Sequence, residues 1–362
     1  MPTNARLRVL QYAVHDPEYP RNRRVREFLS ALPEVVVATH ERSRSRSRAR
    51  RIREDLTALF VSGRRSDVIL LSEMRLTQAL PASCAARLFG ARLIVDGFIG
   101  LHETAVGDWQ HLRRGSLRAR RLRLLDALAV RVADLYLIDT EMRAESIRSE
   151  RSGAAVLSLP VGAPAWARPT RSTATGPLRI LYYGNYIPLH GLDLVMDALD
   201  LLAVSHEFEI DLVGSGSARP ALEQRAREAV DPRRYHFSDP IPEGALAEAI
   251  HRADVVLGVF GESEKAGGVV ANKVWQGLAC GRAVVTRDSS ALDEIASAAG
   301  PLLHRTIPGS AESLAETLAA LALAPRPPVD AEVAARLEAV VARSYDRLAD
   351  WLVSDAAGEV AS

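Results

Sequence analysis

What most restricts this chain is an alternation that runs through it twice. Short apolar runs at residues 7–14, 35–39, 67–72, 91–96 and 135–138 are separated by stretches of helical period, and residues 155–162 supply one further strand-like run. Apolar runs this short, bounded by polar loops, read as strands buried on both faces, which requires a parallel sheet with helices on either side. Residues 162–177 then break the pattern with Pro, Ala, Thr and Ser, the composition of a hinge. Beyond them the alternation restarts, with strand-like runs at 178–183, 208–213, 235–241, 254–260 and 283–285. The expected fold is α/β, two Rossmann-like domains facing each other across a cleft. The expected boundaries are 1–161 for the first domain, 162–177 for the hinge, 178–328 for the second domain and 329–362 for a helical tail.

With 362 residues the chain is long enough for two cores. A formal net charge of +1 gives no reason to expect a nucleic acid as partner. The two cysteines, Cys84 and Cys280, show neither a disulfide framework nor metal-ligand spacing, which suits a reducing cytoplasm. The opening residues lack a long apolar core and no run reaches membrane-spanning length, so no leader and no span is expected.

The chemistry concentrates between residues 260 and 294. A polar, glycine-bearing loop from Gly261 to Gly268 leads into an apolar-periodic helix marked by Val270, Val274 and Leu278. Gly281 stops the helix and a short strand follows. A loop opening into a helix start offers unpaired N–H groups and a positive dipole end, the natural seat of a phosphate. The same stretch holds both lysines of the chain, Lys265 and Lys273, among 46 basic residues. A compact ammonium kept where arginine is otherwise used suits a point contact with phosphate, and Lys273 is the better placed of the two.

Other candidates lie past predicted strand ends. His15, Asp16, Arg21 and Asn22 follow the first strand, and Asp96, His102 and Glu103 follow the fourth, where α/β folds bind ligands. Each set is equally readable as turn and cap residues. Residues 41–53 carry seven arginines with no interleaved aromatics. Such a run is more often a solvated face than a contact for RNA, lipid or an acidic partner. The arginine-rich helical pattern at 112–133 is amphipathic enough for weak contact with a membrane surface, although core packing accounts for its leucines. Gly214 and Gly216 form a truncated G-x-G without an acidic ribose partner at the usual distance, which argues against a dinucleotide.

Taken in order, the segments LRILYYGNYIPLHGLDLVMDAL, FEIDLVGSGSARPALE, YHFSDPIPEGALAEAIHRADVVL and NKVWQGLACGRAVVTRD resemble the second domain of a retaining glycosyltransferase of family 4. The resemblance implies a GT-B architecture, with a C-terminal helix crossing back to the first domain. It also implies a nucleotide-diphosphate sugar as donor, UDP- or GDP-linked, with no further cofactor and no metal. The acceptor would be a small molecule, a lipid or a glycan. Carried over by position, Gly184, Asn185 and Gly214 would shape turns beside the diphosphate, with His190 where the family has a lysine. Lys273 would offset charge on the leaving phosphate, and the N–H groups of Gly268, Val269 and Val270 would hold its oxygens. Gln276 stands where the family has the glutamate that binds ribose, Ile241 and Pro242 would line the base, and Glu262 or Glu264 would meet the donor sugar. Apart from the resemblance, Asp96 and His102, just past the fourth strand, are candidates for a catalytic acid or base or for holding the substrate. An epimerase of the same architecture, or a nucleotide-binding subunit without catalysis, are the other readings.

Overall fold

The computed structural model describes residues 6–108, 112–113, 115–170, 176–325 and 329–354. The expected alternation is present, and it divides by contact into two compact units. Of the described residues, one comprises 6–106, 112–113, 115–161 and 344–354, the other 107–108, 162–170, 176–325 and 329–343.

The first unit begins with β1 (Leu7–Val14), α1 (Pro20–Ala31), β2 (Val35–Glu41), α2 (Arg48–Gly63), β3 (Val68–Leu71), α3 (Ala79–Phe89) and β4 (Arg92–Asp96). The single turn α4 (Leu101–Glu103), α5 (Leu117–Val132), β5 (Leu135–Ile138), α6 (Glu141–Glu150) and β6 (Val156–Ser158) complete it. The sheet order is β2-β1-β3-β4-β5-β6, and every pairing is parallel. All four residues of β3, and all four of β5, are buried, as strands covered by helices on both faces must be. Helix α5 starts five residues later than its apolar pattern suggests, because the Ser116 side chain caps it by accepting from the N–H of Ala119.

The second unit holds β7 (Leu178–Tyr183), α7 (Leu192–Leu202), β8 (Phe208–Val213), α8 (Arg219–Arg227), β9 (Tyr235–Ser238), α9 (Glu243–Arg252) and β10 (Val255–Leu257). It continues with α10 (Asn272–Ala279), β11 (Ala283–Arg287), α11 (Asp293–Ala299), β12 (Leu303–Thr306) and α12 (Ala311–Leu323). Its sheet runs β12-β11-β10-β7-β8-β9, again wholly parallel. In this order β7 and β10 are central, so loops leaving their carboxyl ends meet at the switch point where α/β sheets bind ligands. The last helix, α13 (Val333–Ser354), contributes its residues from Ser344 onward to the first unit. There Tyr345 packs edge-on to Phe28 with ring centroids 4.8 Å apart, and Arg92 lies over the Trp351 ring.

Candidate functional site

At the carboxyl edge of the second sheet, two glycine turns press together. Gly184 ends β7 and donates its N–H to the Val213 carbonyl, while Gly214 ends β8 and donates to that of Ser238. Both have left-handed φ, 135° and 136°. A Cβ on Gly214 would lie 2.0 Å from the Gly184 carbonyl oxygen, so only glycine permits this approach. Arg219 closes the turn from the side, its Nη1 donating to the Gly214 carbonyl at 2.8 Å and pairing with Asp239.

Behind these turns sits Lys273, in the first turn of α10 and only 5% exposed. Its ammonium lies 4.0 Å from the centroid of the Tyr182 ring and, among the described residues, has no hydrogen-bond acceptor. A Cβ on Gly184 would be 3.4 Å from Lys273 Nζ and 3.3 Å from His190 Cε1. The ammonium thus stands directly behind the glycine turn, with no side chain in between. The aromatic face offsets part of its desolvation, yet three strong donors remain unsatisfied. Burial accordingly lowers the Lys273 pKa to about 7. An incoming anion would supply what the site lacks.

His190 does not add a second cation. Its Nδ1 clusters with the Tyr182 hydroxyl, 2.6 Å away, and with the Asn185 carbonyl. Burial, and then the Lys273 charge, push its pKa down to about 2. The imidazole is neutral at any ordinary pH. Gln276 is 7% exposed, and its Oε1 accepts a hydrogen bond from the Tyr183 hydroxyl at 2.7 Å. That carbonyl is already engaged.

The loop before α10 differs from expectation. The helix begins at Asn272, two residues after Val270. The loop curls on itself: Gly267 donates its N–H to the carbonyls of Ser263 and Glu264, and Gly268 donates to that of Lys265. The N–H of Gly268 is therefore spent, which corrects its assignment to phosphate, and the open end of the dipole moves to Asn272. Val269 lies half-buried between the two. Arg287, which the sequence pattern did not mark, anchors this loop by donating from Nη1 to the Gly261 carbonyl at 2.6 Å. Glu262 and Glu264 are exposed on it, and Glu262 lies against Gly309. Ile241 is half-buried after β9, and Pro242 caps α9.

The first unit carries a separate polar centre at the carboxyl edge of its own sheet. Asp96 is not a free acid: its two oxygens accept from the Nε and Nη2 of the fully buried Arg21, at 2.9 and 3.1 Å. The expectation of a catalytic carboxylate there is corrected to a structural ion pair. His102 is half-buried, and Asp126 holds its backbone N–H at 2.8 Å. Close to Asp96 is a group that sequence reasoning missed. Glu73 is wholly buried, with His15 Nδ1 2.8 Å from its Oε1 and with Oε2 unpartnered among the described residues. Burial, followed by the Asp96 charge, raises its pKa to about 8. Ala13 and Met74, both with φ of 61° and the only non-glycine residues of positive φ among those described, lie one or two positions from this pair in sequence. Backbone held in that region is strained and marks a place where side-chain aim is over-determined.

Residues 177–323, which lie within the second unit, match the family described as Glycosyl transferases group 1. No curated protein matches the chain in sequence. Among solved structures, HepE of Anabaena, in complex with UDP, superposes with a TM-score of 0.67 at 12% identity, over 96% of this chain and 100% of that one. Sucrose-phosphate synthase from Thermosynechococcus elongatus gives 0.72 at 15%, over 98% and 100%. The lipopolysaccharide outer core galactosyltransferase WaaB gives 0.63 at 13%, over 97% and 99%. At these identities the likeness establishes the fold, which is GT-B, as the segment resemblance implied.

Proposed function

We propose that this chain is a glycosyltransferase that moves a sugar from a nucleotide-diphosphate sugar to an acceptor. The observation that carries the reading is the buried Lys273 ammonium, without a hydrogen-bond acceptor, behind the Gly184 turn. A protein does not bury an unmet cation without cost, and a diphosphate is the anion that the match of residues 177–323 suggests. HepE is known in complex with UDP and with UDP-glucose, which makes a uridine donor the first to try.

In this reading the donor's diphosphate lies over Gly184 and Gly214, where no side chain intervenes. Lys273 and the start of α10 at Asn272 stabilise negative charge as it develops on the departing phosphate. The bond from the anomeric carbon to the phosphate oxygen breaks, and the acceptor oxygen bonds to the same carbon. The acceptor's proton passes to the released phosphate oxygen on the same face, so configuration is retained. His190, being neutral, shapes the turn without competing for the phosphate. The positive charge comes from protein groups, and the reading assigns no metal and no cofactor beyond the donor.

Incubation with UDP-glucose and a panel of sugar and lipid-linked acceptors, with nuclear magnetic resonance of the products, tests this. Release of UDP with an α-linked product is the expected result. Conversion of the donor sugar without release of UDP would mean an epimerase, and no reaction with any UDP-, GDP- or dTDP-linked sugar would mean a binding subunit. Lys273→Ala should lower turnover by roughly a hundredfold.

A further inference from the structure

In the first unit, α2, α3 and α5 pack side by side against the sheet. Their outer surface is unusual in two respects that coincide. Apolar side chains stand in solvent along it: Ile52 is 50% exposed and Phe60 43% on α2, Leu88 67% on α3, and Leu117 84% and Leu124 70% on α5. Between them lie exposed arginines, among them Arg48 and Arg53 on α2 and Arg118, Arg120, Arg121 and Arg123 on α5. Among the described residues none of these six is in a salt bridge, whereas Arg50 on the same α2 is paired with Glu54. The chain as a whole carries only +1, so this surface concentrates a charge that the rest of the molecule balances elsewhere.

Neither property alone indicates a ligand. Isolated exposed leucines are ordinary, and an arginine-rich face is usually just hydrated. Together they describe a surface with apolar side chains to insert and exposed cations on the same helices. That is the pattern of a protein lying on an anionic lipid surface. A second copy of this chain is a poor occupant, because self-pairing would bring two arginine-rich faces together. Single-stranded RNA would need aromatic platforms for its bases, and Phe60 is already stacked edge-on against Phe89, with centroids 5.7 Å apart.

We propose that the α2–α3–α5 face docks the protein on membranes rich in anionic phospholipid, with Ile52, Phe60, Leu117 and Leu124 entering the headgroup boundary and the arginines meeting the phosphates. This stands independently of the transferase reading.

The test is co-sedimentation with vesicles of 30% phosphatidylglycerol in phosphatidylcholine, compared with phosphatidylcholine alone. Binding to the anionic vesicles should be at least tenfold stronger and should weaken in 0.5 M sodium chloride. Arg118→Glu combined with Arg121→Glu should reduce it at least fivefold, and so should Phe60→Asp combined with Leu117→Asp. Leu201→Asp, on an exposed apolar residue of the other unit, should leave it unchanged. Thermal unfolding of each variant confirms that it folds. Equal binding to both vesicles, none to either, or full binding by the folded double variants overturns the proposal. So does dimerisation abolished by Phe60→Asp, or capture of poly-uridylate without capture of vesicles.

Discussion

Two buried ionisable groups set this molecule apart at the residue scale, and they titrate in opposite ways. Lys273 is brought down to about 7 by burial, and in the proposed reading it regains its proton when a phosphate arrives. Its pKa in the complex is then higher than in the free protein. Between those two values the affinity for UDP should fall as pH rises, by up to about tenfold per unit. Calorimetry at pH 6.5 and 8.5 should show this slope and an uptake of protons, both absent in Lys273→Met. His190, held near 2, contributes nothing over that range. Glu73 behaves in the other sense, because its folded pKa of about 8 exceeds that of an exposed glutamate. The folded state retains a proton that the unfolded chain gives up, so stability is lost as pH rises from about 4.5 to 8. Glu73→Gln should leave stability near pH 4.5 little changed and raise it at pH 8.5 by on the order of 1–3 kcal/mol in denaturant titrations. Lys273 was legible in the sequence because lysine is so rare there. Glu73 was not, since a glutamate after an apolar run looks like a solvated turn; its burial depends on neighbours brought in from Asn22 and His15.

Elements were the most legible level. Buried parallel strands announce themselves as short apolar runs, and the strands at 178–183 and 208–213 have the ends that the pattern gave them. Helix starts were less legible where a local bond decided them, at Ser116 for α5 and in the self-bonded loop before α10. What apolar periodicity does not carry is the contact between two turns from different strands. The site depends on such a contact: Gly214 and Gly184 approach so closely that any side chain must part them. Gly214→Ala should destabilise the protein by roughly 2–4 kcal/mol, combining left-handed strain with the clash, and should weaken nucleotide binding as well. A Gly214→Ala protein that melts like wild type and binds UDP equally would remove this turn from the account.

For the molecule as a whole, the apolar pattern announced two parallel α/β sheets, which the structure has, and the resemblance implied a terminal helix crossing back to the first domain, whose residues from Ser344 onward do group with the first unit. Which surface of each unit does chemistry was less evident, because polar residues past strand ends look alike whether they are free or paired. Asp96, past a strand end, and Lys273, in the first turn of a helix, show the difference: both are buried, but the first is paired with Arg21 and the second, among the described residues, has no hydrogen-bond acceptor. The account's central claim is that this unmet ammonium is the seat of a nucleotide's diphosphate. The measurement that tests it most directly is the melting temperature of wild type and Lys273→Met with UDP, GDP, dTDP, ADP and CMP. A nucleoside diphosphate at a hundred times its Kd adds about 2.7 kcal/mol. The account predicts a clear rise in wild type with one diphosphate, UDP first among them, no rise with CMP, and loss of the effect in Lys273→Met. A wild type that responds to no diphosphate, or a variant stabilised as fully as wild type, would contradict it.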